Sequence, residues 1–86
     1  MTCRIDRLSI EHGEVLRISG RITGEDLDVL RTALAEGSVV ALDLTEVELA
    51  DRDAVTLLAR TERNGIELRH GPAYIREWVT RERGRS

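Results

Sequence analysis

Few residue types in this chain can do chemistry. They are carboxylates, two histidines, one cysteine and 13 basic residues, all of them Arg. With no Lys, a lysine nucleophile and Schiff-base chemistry are excluded. The densest cluster is acidic: Asp43, Glu46, Glu48, Asp51 and Asp53 stand against the single Arg52. Such carboxylates can hold a divalent cation, but no Gly-x-x-x-x-Gly-Lys phosphate loop accompanies them, and Gly20 to Gly24 does not supply one. No metal and no cofactor are therefore expected. The plainer reading makes Asp51 a helix cap and leaves Asp53 and the glutamates solvated. His12 and His70 have no carboxylate or cysteine at ligand spacing and read as solvated side chains. Cys3 reads as a small buried or edge residue rather than a nucleophile. Nothing here looks like an active site, and the expectation is that this is not an enzyme.

Composition narrows the rest. A chain of 86 residues, 41% hydrophobic and 34% charged, is one soluble globular domain, spanning 1–86. A net charge of −3 argues against a grip on phosphate backbones, so no nucleic-acid partner is expected. The arginines near the end, Arg76, Arg81, Arg83 and Arg85, alternate with Glu77 and Glu82 and read as a solvated helix end. Tyr74 and Trp78 are the only aromatic residues, so the core must be aliphatic and base-stacking surfaces are nearly absent. The longest apolar run, Val39 to Leu42, is far below the ~20 residues of a membrane helix. A polar Met1 to Asp6 without a secretory pattern, together with the single Cys3, points to the cytoplasm.

The elements that must position these groups follow from periodicity and punctuation. Cys3 to Ile10 reads as a strand whose apolar parity changes at Asp6-Arg7, which predicts a bulge or twisted edge there. A turn at Glu11-His12-Gly13 leads to a second strand, Val15 to Ile22, in an antiparallel hairpin. Thr23 caps a helix carrying Leu27, Leu30 and Leu34, broadened by Val29 and Ala33 and ended by Gly37. Ser38 to Leu44 is a buried central strand, followed by a polar bend at Thr45-Glu46 and a short alternation from Val47 to Leu49. Asp51 caps a second helix with Ala54, Val55, Leu57 and Leu58 inward, ending at Asn64-Gly65. Ile66 to Leu68 is a last short strand, and Pro72 opens a last helix carrying Ile75, Trp78 and Val79. The order β-β-α-β-α-β-α predicts an α/β fold: a small four-stranded mixed sheet, parallel except for the first hairpin, with the helices mainly on one face. Tyr74 and Trp78 read as core or as a lid on the sheet edge, and Trp78 also as a subunit contact.

The run from Val39 to Val55, with Asp43-Leu44-Thr45-Glu46-Val47 and then Asp51-Arg52-Asp53-Ala54 opening a helix, resembles the signature segment of the STAS domain family. That family includes anti-sigma factor antagonists and the cytoplasmic tails of sulphate transporters. Its pattern is an apolar strand, Asp-Leu-Ser/Thr-Gly-Val, an apolar pair, and Asp-Ser-Ser-Gly/Ala at a helix start. The element order is similar across nearly the whole chain, and Ile18-Ser19-Gly20-Arg21 is similar to a Leu-Ser-Gly-Arg turn.

The resemblance implies a binding module whose partner is an anti-sigma factor or kinase, met by the loop before the second helix. It places the partner-binding residues at Asp51, Arg52, Asp53 and Ala54, with Thr45 and Glu46 in the preceding motif. In antagonists the second Ser of Asp-Ser-Ser is phosphorylated; here its position is held by Asp53, which has no hydroxyl. A fixed carboxylate stands where a phosphate would carry about −1.5 to −2. Glu46 replaces the usual Gly, and Thr45 and Thr56 are the hydroxyls that remain. Two other readings stay open: a STAS-like sensor of a nucleotide or lipid, and a self-associating subunit, a homodimer using the exposed sheet face and Trp78.

Overall fold

The computed structural model describes residues 3–36 and 38–84. Four strands form one mixed sheet in the order β1-β2-β3-β4: β1 (Cys3–Ile10), β2 (Gly13–Ile22), β3 (Val39–Ala50) and β4 (Glu67–Arg69). The pair β1/β2 is antiparallel, and β2/β3 and β3/β4 are parallel, as the alternation of strands and helices requires. The helices are α1 (Leu27–Ala35), preceded by one 3-10 turn over Gly24–Asp26, α2 (Arg52–Arg63) and α3 (Ala73–Gly84). The fold is α/β, as the element order predicts.

All three helices cover the same face. Leu16, Ile18 and Ile22 of β2 and Leu42, Leu44, Val47 and Ala50 of β3 share one aliphatic core with Leu27 and Leu30 of α1, Val55 and Leu58 of α2, and Ile75 and Val79 of α3. The other face is open. It carries Arg4, Asp6, Leu8 and Ile10 on β1, with Leu8 and Ile10 42% and 44% exposed, and the Arg17–Asp43 pair between β2 and β3. No helix among the described residues is long and apolar enough to cross a membrane.

The structure corrects several local expectations. β1 has no bulge: its register against β2 runs unbroken from Cys3↔Gly20 to Ile10↔Gly13. The apparent parity change arises because Ile5 faces the helices while Leu8 and Ile10 face outward. The polar bend at Thr45-Glu46 is also absent, since β3 continues through it to Ala50. Against β2, β3 carries an extra residue at three places, after Glu14/Val39, Arg17/Asp43 and Gly20/Val47. The second and third of these bulges reset the alternation of side chains, so that Leu44, Val47 and Ala50, three apart, all point inward. Val29 is exposed rather than part of the α1 stripe, and Tyr74 is exposed rather than core. The expected helix stop at Gly37 lies outside the described residues. β4 is one residue later than predicted, and α3 starts at Ala73, with the Pro72 carbonyl accepting from the N–H groups of Ile75 and Arg76.

Candidate functional site

The parallel strands β2 and β3 end side by side, and the chain leaves both at the same edge of the sheet. Ile22 pairs with Ala50, and the Asp51 N–H donates to the Ile22 carbonyl at 3.1 Å. Two helix starts therefore meet there: Thr23–Asp26 before α1 and Asp51–Ala54 at the head of α2. In open α/β sheets this carboxyl edge is where partners and ligands dock.

Asp51 is the N-cap of α2, in extended backbone conformation (φ −80°, ψ 179°). One carboxylate oxygen accepts from the Ala54 N–H at 2.9 Å, and the other accepts from the Gly24 N–H at 2.9 Å. One side chain thus caps α2 and ties the two loops together. Gly24 is the member that the sequence did not single out; only strand pairing brings it within reach of Asp51. Arg52 and Asp53 are exposed in the first turn of α2, whereas Ala54 is buried in the core. Asp53 lies beside the same glycine, since a Cβ built on Gly24 would stand 3.6 Å from Asp53 Oδ2. Its charge sits at the positive end of the helix, where an anion is favoured.

The first loop has its own carboxylate lock. Asp26, only 2% exposed, accepts from the Thr23 N–H at 3.0 Å and from the Thr23 hydroxyl at 3.1 Å. The Thr-x-x-acid spacing is the local signal for that arrangement. Asp26 also neighbours the buried Cys3, whose thiol pKa is pushed up by burial, by the Asp26 charge and by a hydrogen bond to it. A buried thiol held in its neutral form is a poor nucleophile, which fits its reading as a core residue.

Thr45 and Glu46 are not brought to this loop. They sit exposed in mid-β3, roughly 15–20 Å of strand away from Asp51. The Asp43 carboxylate accepts from the Thr45 hydroxyl at 2.6 Å and from the Thr45 N–H at 3.0 Å, and pairs with Arg17 at 3.4 Å. Those bonds, the Thr45 hydroxyl first, hold the Asp43 carboxyl below its ordinary pKa against burial acting the other way. The motif's first half is therefore built into the sheet, and only its second half reaches the strand tips. Thr56 lies exposed on α2 with its hydroxyl donating to the Arg52 carbonyl at 3.0 Å. His12 and His70 are exposed. Among the described residues no cluster of His, Cys, Asp and Glu is arranged to hold a metal ion.

Tyr74 and Trp78 follow each other along α3 and border a shallow groove with Glu77 and Arg81. The Tyr74 hydroxyl donates to the Glu48 carbonyl at 2.6 Å, and Trp78 is half-buried against the core. A small cavity of about 140 Å³ lies between α2, α3 and the β3/β4 strands, floored by Leu44, Leu68, Ile75 and Val79. Comparison with family models, curated proteins and solved structures returns no match to the chain.

Proposed function

We propose that this chain is a non-catalytic, cytoplasmic protein-interaction module resembling the anti-sigma factor antagonists of the STAS family, with its docking loop at Asp51–Ala54. The partner is an anti-sigma factor or a kinase of that type. The observation that supports this most is the position of Asp53: exposed, in the first turn of α2, beside Gly24 at the joined tips of β2 and β3. A serine there would be open to a kinase. An aspartate there carries a permanent negative charge, and the surface stays in one electrostatic state that phosphorylation at this position does not switch. Asp51, tied to both loops, gives that charge a rigid setting.

The test is binding of the purified chain to candidate anti-sigma kinases and to the products of neighbouring genes, comparing Asp53→Ser and Asp53→Ala. The expected result is a partner whose affinity changes about tenfold or more with either substitution, and an Asp53→Ser chain that becomes a kinase substrate. If every interaction found is indifferent to both substitutions, the docking loop is elsewhere and the reading fails.

A further inference from the structure

The two margins of the sheet are finished differently. On the β4 side the margin is blunted: β4 pairs with only Ala41–Asp43. Beyond that point the Asp43 carboxylate takes the Thr45 N–H, and the Tyr74 hydroxyl takes the Glu48 carbonyl. On the other side β1 is eight residues long, runs in unbroken register with β2, and has no described strand outside it. Of the devices that usually guard an edge, β1 has no bulge, proline, lysine or very short length. Its guard is charge alone, Arg4, Asp6 and the helix-facing Arg7, and that charge is of both signs.

We propose that this edge is a self-association surface, on which a second copy of the chain adds its own β1, antiparallel and centred on Ile5, to make one eight-stranded sheet. The inference does not rest on the docking-loop reading, although β1 begins near that loop, with Cys3 beside Asp26.

The charge pattern selects the register. A two-fold axis normal to the sheet keeps each face on its own side, so even-numbered residues of β1 oppose even and odd oppose odd. Arg4 and Asp6 alternate on the open face, ion-paired at 3.3 Å and exposed. Centring on Asp6 sets that carboxylate against its own copy, and centring on Arg7 does the same with a guanidinium. Centring on Leu8 sets Asp6 against Ile10. Centring on Ser9 matches Leu8 with Ile10 but overlaps only three strand residues. Centring on Ile5 sets Arg4 opposite Asp6 of the second copy twice over, and sets Cys3 opposite Arg7, whose guanidinium is already held by Glu14 and the Ala33 and Glu36 carbonyls of its own chain. It also brings the two Ile5 side chains, each half-buried at the rim of its own core, into contact. Among the described residues the overlap is five long, Cys3 to Arg7, which makes a small interface and a weak dimer.

The experiment is sedimentation equilibrium of the full chain at low salt from about 10 µM to about 1 mM, the range a small interface allows. Expected is a reversible monomer–dimer equilibrium, weakened about tenfold or more by Asp6→Arg or Arg4→Asp, since two cross-strand pairs turn repulsive. The double exchange Arg4→Asp/Asp6→Arg restores it, and Leu8→Lys leaves it unchanged. Circular dichroism checks that each variant is folded, which the exposure of Arg4 and Asp6 favours. A monomer throughout the range overturns the proposal, as does a dimer indifferent to the reversals. A double exchange that fails to restore pairing overturns the register, and loss on Leu8→Lys assigns the contact to the apolar corner instead.

Discussion

Two carboxylates two positions apart meet different fates in the first turn of α2. Asp51 accepts two backbone N–H bonds from different loops, whereas Asp53 is exposed beside Gly24. Asp51→Ala therefore removes a helix cap and leaves the Gly24 N–H unmet, for a loss of about 2 kcal/mol. In a domain of this size that lowers Tm by about 10 °C, while Asp53→Ala should shift it by a few degrees at most; differential scanning calorimetry measures both. Asp43 carries the clearest pH signature. Its carboxyl pKa is depressed in the folded state by the Thr45 hydroxyl, the Thr45 N–H and Arg17, so its contribution is fully present above the unfolded value of about 3.9. That contribution is lost as pH falls through the lower folded value. Denaturant titrations of Asp43→Asn should show a chain less stable than the parent at neutral pH, with the gap closing on acidification below about pH 4. A gap that persists unchanged in acid would mean the carboxylate charge is not what stabilises. Asp51 as a cap was legible from its type and place before an apolar-periodic stretch. Its second bond to Gly24 was not, because a contact across 27 residues exists only once β2 and β3 pair.

At the scale of elements, the informative cases are β3 and the β1–β2 hairpin. The sequence from Val39 to Ala50 reads as two pieces because the polar Thr45-Glu46 separates a continuous apolar run from a short alternation. The structure keeps one strand and absorbs the mismatch in extra residues opposite β2, a solution that depends on the neighbouring strand and so leaves no local mark. The hairpin depends on Gly13. Its φ is +149°, and a Cβ there would stand 2.5 Å from the Ser38 carbonyl oxygen, which accepts the Glu14 N–H at 2.9 Å. Gly13→Ala combines backbone strain with overlap against main chain that cannot retreat without losing a hydrogen bond, and should cost about 3 kcal/mol or more. Gly65 also has positive φ, +96°, but open space around it, so Gly65→Ala should cost only about 1–2 kcal/mol of strain at the end of α2. Urea unfolding of the two variants separates close approach from conformation alone. The turn at Gly13 was legible as a turn; the carbonyl of Ser38 pressed against it was not.

Over the whole molecule, one sheet with helices on a single face divides stability unevenly. β2 and β3 pair along most of their length beneath all three helices, whereas β4 contributes three residues at a margin. Native-state hydrogen exchange should find the slowest amides among Leu16, Ile18, Leu42 and Leu44, with Glu67–Arg69 exchanging well before them. Equal protection of β4 and β3 would contradict that ordering. The amino-acid sequence by itself determined the number, order and type of the elements, the aliphatic character of the core, the parallel and antiparallel pairing, and the capping of α2 by Asp51. All of these depend on periodicity and on residues within a few positions of one another. Tertiary structure alone decided that β3 is one bulged strand, that Thr45 and Glu46 stay in the sheet while Asp53 reaches its edge, and that Gly24 meets Asp51. It also decided that one margin is sealed by Tyr74 and Asp43 while β1 is left open. Each of these rests on where one strand comes to lie against another, and a register between distant segments is chosen by the summed packing of the sheet rather than by any residue within it.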